Sequence, residues 1–342
     1  MRRVNRKLCA VAALALAGLA TLPASAEPTL ETVKKRGELV CGADGRLPGF
    51  SFADERKEWR GLDVDLCRAI AAAVLGDARK VRFVPLSTAQ RFRALEAGEV
   101  DVLARNSTVT LQRSAGTRLT YAAINYFDGQ AFVVANKRGV KLLASLGGAT
   151  VCFTRNTTHE AHMVNWFRAR KLSLTPIGFD TQDAMYDAFF ASRCVAATQD
   201  ATALAAAVVR RGKSADYTVL PQLISKEPLG PFVRAGDEAW LEVVRWTHYA
   251  MLEAEERDIT QANVDQERRS PDAEVRLLLG AVPGNGKALG LDEGWAYSVI
   301  KQVGNYGESF ERHLGQRSPF KLPRGVNALW SQGGLMYPPP MR

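Results

Sequence analysis

Arg113 ends the run Asn106-Ser-Thr108-Val-Thr-Leu-Gln-Arg113, and Asp200 ends Thr198-Gln-Asp200. A guanidinium offers a planar fork of donors that matches a carboxylate. A carboxylate with neighbouring carbonyl oxygens suits an ammonium, whose unpaired burial would cost several kcal/mol. Thr157 and Thr158 fall at a predicted helix start, where hydroxyls and backbone N–H groups favour an anion. Arg113, Thr108, Thr157 and Thr158 are therefore the candidate carboxylate-binding residues, and Asp200, the Asn106 carbonyl and Asp44 the candidate ammonium-binding residues. The two groups together suit a zwitterion of the amino-acid kind.

Each residue also has a plain reading. An Asp or a Thr pair opening a helix is commonly a cap, and a single Arg is commonly a solvated charge. Their joint placement argues otherwise, and that placement comes from the elements around them. Leu30–Arg36 reads as a short helix, Glu38–Gly42 as a strand and 43–60 as a loop. Val64–Leu75 follows a helical period, and Lys80–Pro85 is a second strand. Ser87 and Gln90 read as a capping box for a helix to Ala97, followed by a strand over Val100–Ala104. The rhythm restarts with a strand at Thr150–Phe153. Thr157 and Glu160 then cap a helix through Phe167, before a strand at Leu174–Ile177, a helix at Thr181–Ala191 and a strand at Cys194–Thr198. Asp200 caps an Ala-rich helix ending near Arg210. Strands alternating with helices predict parallel-type sheets flanked by helices, with ligands bound beyond the strands' carboxyl ends. Every candidate residue falls in such a loop.

The fold class is therefore α/β: a two-lobed arrangement with the ligand cleft between the lobes. Residues 27–131 form the first part of lobe 1, 132–231 lobe 2, and 232–342 a return to lobe 1 with a C-terminal extension. The crossings are expected near Tyr126–Val134 and Leu229–Val233. Trp240–Glu256 reads as a helix, whereas 257–290, charged and Gly-rich, reads as an exposed excursion. Trp59, Trp166 and the C-terminal aromatics are expected in the core.

Residues 1–26 read as a signal peptide: Arg2, Arg3, Arg6 and Lys7, an apolar Leu8–Leu22, then Ala24-Ser-Ala26 before the cut. The remainder, with no other span-length apolar run, is expected to be soluble and exported to the periplasm. Removing four of forty-five Lys+Arg and none of thirty-six Asp+Glu lowers the formal charge from +9 to +5. That scattered excess gives nucleic acid no dedicated surface. Cys9 leaves with the signal, and Cys41, Cys67, Cys152 and Cys194 remain. Their placement in separate βα stretches predicts bridges Cys41–Cys67 and Cys152–Cys194, the alternative being four buried thiols. No CxxC or zinc-type spacing occurs, and His159 and His162 in His-Glu-Ala-His read as surface or capping residues, so neither metal nor cofactor is expected.

Gly61-Leu-Asp-Val-Asp-Leu66 and Phe92-x-x-Leu95-x-x-Gly98-x-Val-Asp101-Val resemble the bacterial extracellular solute-binding family 3, the polar-amino-acid receptors of ABC importers. Asn106–Arg113 is similar to that family's carboxylate-binding segment, and Thr154–Glu160 to its second-lobe ligand loop. The tail, including Lys301-Gln-Val-Gly-Asn-Tyr-Gly307, Arg324-Gly-Val-Asn-Ala-Leu-Trp330 and Gly333-Gly-Leu-Met-Tyr337, resembles the general L-amino-acid-binding branch. The resemblance implies Asp44, Asn106, Thr108, Arg113, Thr158 and Asp200 as ligand contacts. It also implies free L-amino acids and membrane permease subunits as partners, and action as a monomer. Three positions depart from the pattern: Leu47 where an aromatic is common, Asn156 where Gly is usual, and Val195 where Asp is common. With the resemblance, Leu47 and Thr88 are assigned to the ligand's side-chain pocket, and the aliphatic Leu47 suits a broader one. An enzyme on the same scaffold, a dehydratase or an envelope glycan-cleaving enzyme, needs an acid/base pair in the cleft, and none declares itself. A ligand sensor would share every feature above.

Overall fold

The computed structural model describes residues 27–341. The signal segment read at residues 1–26 lies outside the described residues. Helix α1 (Thr29–Arg36) ends at Gly37 in the left-handed conformation, and β1 (Leu39–Ala43) follows, buried throughout. The stretch expected as a plain loop carries three short antiparallel strands, β2 (Arg46–Leu47), β3 (Ser51–Ala53) and β4 (Trp59–Arg60). Strands this short carry too little periodicity to be read. Helix α2 (Leu62–Leu75) is buried along most of its length. Then come β5 (Val81–Pro85), α3 (Arg91–Glu96), β6 (Val102–Thr108), α4 (Leu111–Ala115), β7 (Leu119–Tyr121) and β8 (Tyr126–Asp128).

The other lobe begins with β9 (Gln130–Ala135) and continues through β10 (Thr150–Thr154), α5 (His159–Ala169), β11 (Thr175–Phe179), α6 (Gln182–Phe190), β12 (Ala196–Asp200), α7 (Ala201–Arg210) and β13 (Tyr217–Val219). Strand β14 (Glu227–Arg234) returns the chain to the first sheet. The two sheets repeat one plan. In the first, β1 lies parallel between β5 and β6, and β14 runs antiparallel to β6, β7 and β8. In the second, β10 lies parallel between β11 and β12, and β9 runs antiparallel to β12 and β13. Each sheet reverses its strand order beside its central parallel strand, β1 in one and β10 in the other, which is where α/β sheets bind ligands.

The chain crosses between the sheets at two adjacent places. Gly129 joins β8 to β9, and a Cβ there would sit 2.9 Å from the Ser225 carbonyl oxygen. Ile224 N donates to Gln130 O at 3.0 Å, and Glu227 faces Asp128 in the ladder. The second crossing thus precedes β14, upstream of the expected Leu229–Val233. Helix α8 (Glu238–Glu256) packs under the first sheet.

Residues 257–290, expected as an exposed excursion, instead place Ile259, Val264, Val275, Leu278 and Leu279 in the main core. The short helices α9 (Val264–Glu267), α10 (Ala273–Leu278) and α11 (Asn285–Leu289) carry them. Helices α12 (Trp295–Gln302) and α13 (Tyr306–His313) complete the extension. Trp295, Tyr306 and Phe310 are core residues, whereas Trp330 and Tyr337 are exposed, against the expectation for the C-terminal aromatics.

Cys41 of β1 is bonded to Cys67 of α2, and Cys152 of β10 to Cys194 just before β12. Each bridge stays within one sheet-containing lobe. Among the described residues no helix is long and apolar enough to cross a membrane.

Candidate functional site

The site lies where β6, α4 and α3 of one lobe face β12, α5 and α6 of the other. Strand β6 is buried at all seven positions and ends in the candidate residues. Asn106 adopts a left-handed φ of 35°, which Asn tolerates better than most residues. Its N–H donates to Asp63 Oδ2 at 2.8 Å, and Asn125 Nδ2 donates to Oδ1 at 3.0 Å. Burial nonetheless pushes the Asp63 carboxyl up to about 6, against the pull of these donors. Asn106 Oδ1 is a buried acceptor without a partner among the described residues, so an added donor would relieve a desolvation penalty.

Thr110 caps α4 by accepting from Arg113 N, and Arg113 Nη1 donates back to Thr108 O at 2.8 Å. The guanidinium lies over the Phe92 ring at 5.2 Å. No carboxylate approaches it within 4.0 Å among the described residues. Burial lowers its pKa, partly countered by Glu227 and Asp200 and reinforced by Arg105. A guanidinium keeps its proton regardless, so the shift marks a charge held at some cost.

In the second lobe Thr157 Oγ1 donates to Thr154 O at 2.7 Å and Thr158 Oγ1 to Glu227 Oε2 at 2.9 Å. The capping box expected from Thr157 and Glu160 is absent: Thr158 occupies the cap position of α5 and makes no capping bond. Asp200 likewise precedes α7 without capping it. Its Oδ1 meets His159 Nε2 at 2.9 Å, with both side chains buried. His159 is therefore neither a surface nor a capping residue. His162 Nδ1 meets Glu227 Oε1 at 3.1 Å, so the two histidines serve different acids and do not chelate together. Ser87 and Gln90 form only half of the expected box: Gln90 Oε1 accepts from Ser87 N at 3.4 Å and from Ser87 Oγ at 2.7 Å, so the hydroxyl is not left to cap the helix.

Asp44 is buried and paired with Arg105 Nη2 at 2.5 Å, so its carboxylate already has a cation. Arg105 Nε also donates to Leu86 O and Nη2 to Thr88 Oγ1. Thr88 lines a cavity of about 230 Å³ between the lobes, whose walls include Asp44, Arg105, Gln90 and Gln182. Leu47 does not line it; it packs in the core with Phe50 and Leu62. Strand β2 turns its alternate residue, Arg46, outward instead, an orientation set by a two-residue ladder the sequence did not reveal.

Several functional candidates were not foreseen. Arg91 is buried, its Nε has no partner among the described residues, and Arg105 and Arg113 add to the burial that lowers its pKa. Glu227 is fully buried at the crossing; burial alone would raise its carboxyl, yet His159, Ser225, Thr108 and Thr158 bring it below the ordinary value. Asp128 is pushed upward by burial and by Asp200. A charged residue inside a run that must pair as strand, as in Lys226-Glu227-Pro-Leu, was the available signal for Glu227.

His159, Asp200 and Glu227 bring possible metal-ligand atoms within 4.8 Å of one another. Imidazole plus carboxylates is a donor set that zinc accepts. Each member here is already bonded to a neighbour, so the arrangement also stands as a hydrogen-bonded charge network. Arg91 and Arg113, without a carboxylate within 4.0 Å among the described residues, lie in the first lobe, and Asp200 and Glu227 in the second lobe and at the crossing, which gives the site both charges that a zwitterion requires.

Residues 39–263 match the bacterial extracellular solute-binding proteins, family 3. The chain is 42% identical over 340 residues to the general L-amino acid-binding periplasmic protein AapJ of Rhizobium johnstonii, covering 99% of each. It is 45% identical to the glutamate/glutamine/aspartate/asparagine-binding protein BztA of Rhodobacter capsulatus, covering 96% of this chain and 97% of BztA. A solved ABC-transporter periplasmic binding protein from Brucella ovis with glutathione bound superposes with a TM-score of 0.91 at 45% identity, over 92% of this chain and 100% of that one.

Proposed function

The chain belongs to the bacterial extracellular solute-binding proteins, family 3, and from that premise we propose that it captures L-amino acids of varied side chain between its lobes and delivers them to an ABC importer. The observation that carries this reading is the pairing of Arg113, a half-buried guanidinium with no carboxylate within 4.0 Å among the described residues, with acceptors at Asp200 and Asn106 Oδ1. In this reading Arg113, Thr108 and the Thr157–Thr158 turn take the ligand carboxylate, and Asp200 and Asn106 take its ammonium. Asp44 contributes through Arg105. Thr88 and the cavity beyond it receive the side chain. The segments around Gly129 and 224–227 act as the hinge, between a first lobe of 27–128 with 228–341 and a second lobe of 130–223. The protein works as a periplasmic monomer after loss of residues 1–26, and it is a binding protein and not an enzyme.

Isothermal calorimetry of ligand-stripped mature protein against the twenty L-amino acids tests this. Several chemically different side chains should bind. Arg113→Ala should weaken them all by at least ~100-fold, since two charge-assisted hydrogen bonds at ~1.5–3 kcal/mol each are lost. Silence across the panel, or normal affinity in the variant, would overturn the assignment.

A further inference from the structure

We propose that the cavity beside Arg105 is an annex for ligands larger than an amino acid, and that its occupants are peptides linked through the side chain, of the γ-glutamyl kind. The inference rests on the function proposed above. If one set of residues binds a free carboxylate and another a free ammonium at the spacing of one amino acid, an ordinary α-linked peptide cannot satisfy both, because its free ammonium and free α-carboxylate sit on different residues, farther apart. An extension leaving through the side chain keeps both groups free.

The structure provides room for such an extension. The cavity of about 230 Å³ lies between the 85–90 segment and the start of α6. That is below the ~300–1,000 Å³ of a complete small-molecule pocket, and it excludes Arg113, Thr158 and Asp200. It is therefore an annex to the charged site, joined to it through Arg105, the neighbour of Asn106. Its walls carry the hydroxyls of Ser87 and Thr88 and the amides of Gln90 and Gln182. Donors and acceptors are both present, as a buried peptide group needs. At the rim Arg46 Nη1 meets Asp183 Oδ2 at 2.9 Å across the two lobes. Arg46 is largely exposed, free to turn from Asp183 to the terminal carboxylate of an occupant.

Calorimetry on the ligand-stripped mature protein with L-glutamate, γ-glutamylglycine and α-glutamylglycine tests the annex. L-glutamate and γ-glutamylglycine should bind within about tenfold of each other, a gap of ~1.4 kcal/mol or less, and the α-linked isomer should not bind. Gln182→Trp, which fills the annex, should weaken γ-glutamylglycine by more than about tenfold beyond any loss for L-glutamate, whose shorter side chain enters only the near end of the same cavity. If L-glutamate binds but γ-glutamylglycine fails, or Gln182→Trp weakens both equally, the annex is refuted while amino-acid capture stands. If no amino acid binds, the function proposed above falls, and the annex with it.

Discussion

Asp200 occupies the position that usually caps a helix and gives its oxygen to His159 instead. Withholding that carboxylate from α7 leaves it available at the site, at the cost of an unmade cap of ~1 kcal/mol. Asp200→Asn keeps the shape and removes the charge. It should lower amino-acid affinity by roughly 10- to 150-fold, the worth of one charge-assisted bond to an ammonium, while the urea midpoint moves little. His248 supplies a different residue-scale prediction. Burial lowers its pKa to about 4, against the opposing pull of the Ile124 carbonyl. The unfolded chain takes up a proton as pH falls through ~6.5 that the folded chain refuses until near 4. The contribution of this neutral, buried imidazole is thus full above pH 6.5 and is lost as pH drops toward 4. Asp63, raised to about 6, acts oppositely: its contribution is full below its unfolded value and is lost as pH rises through 6. The two mask each other in wild type. His248→Gln should unmask the Asp63 trend, gaining ~3 kcal/mol relative to wild type between pH 7 and 4, read from urea unfolding at both pH values.

At the scale of elements, strand–helix alternation was legible because buried parallel strands are apolar runs and amphipathic helices are periodic. The caps at Thr157 and Asp200, and the Ser87 half of its box, were misread for one reason: at a ligand-binding strand end, capping residues face competing partners that sequence spacing does not display. Helices α9 to α11 were missed because four to six residues span too few turns for a period to register. The bridges were legible from compartment and placement. Cys152–Cys194 closes a separation of 42 residues, so Cys152→Ser with Cys194→Ser should cost about 4 kcal/mol by loop entropy, seen as a lower thermal midpoint. Asn156, in the turn before α5, has φ 61°. Asn156→Ala should cost ~1 kcal/mol and Asn156→Gly less, measured by denaturant titration.

The whole molecule joins its two lobes through two neighbouring segments and closes them at the rim with Arg46 and Asp183. The rim pair is solvent-exposed, and such pairs contribute ~0–1 kcal/mol. Asp183→Ala should therefore weaken amino-acid binding by no more than ~5-fold, whereas the buried residues govern affinity. Ligand at about 100 times its Kd should stabilise the fold by ~2.7 kcal/mol. Both scattering radius and thermal midpoint should respond, the first contracting and the second rising, and Arg113→Ala should abolish both responses.

Sequence alone determined the α/β alternation, the doubling into two units, the cysteine pairs and the loops that reach the cleft. All of these follow from local periodicity, composition and chain order. Only the tertiary structure decided which charges meet. Asp44 pairs with Arg105, His159 with Asp200 and His162 with Glu227, while Arg91 and Arg113 have no carboxylate within 4.0 Å among the described residues. Those pairings depend on the distance between side chains far apart in the chain, and on which of them lose water together. Neither quantity is written in the spacing of residues along a single chain.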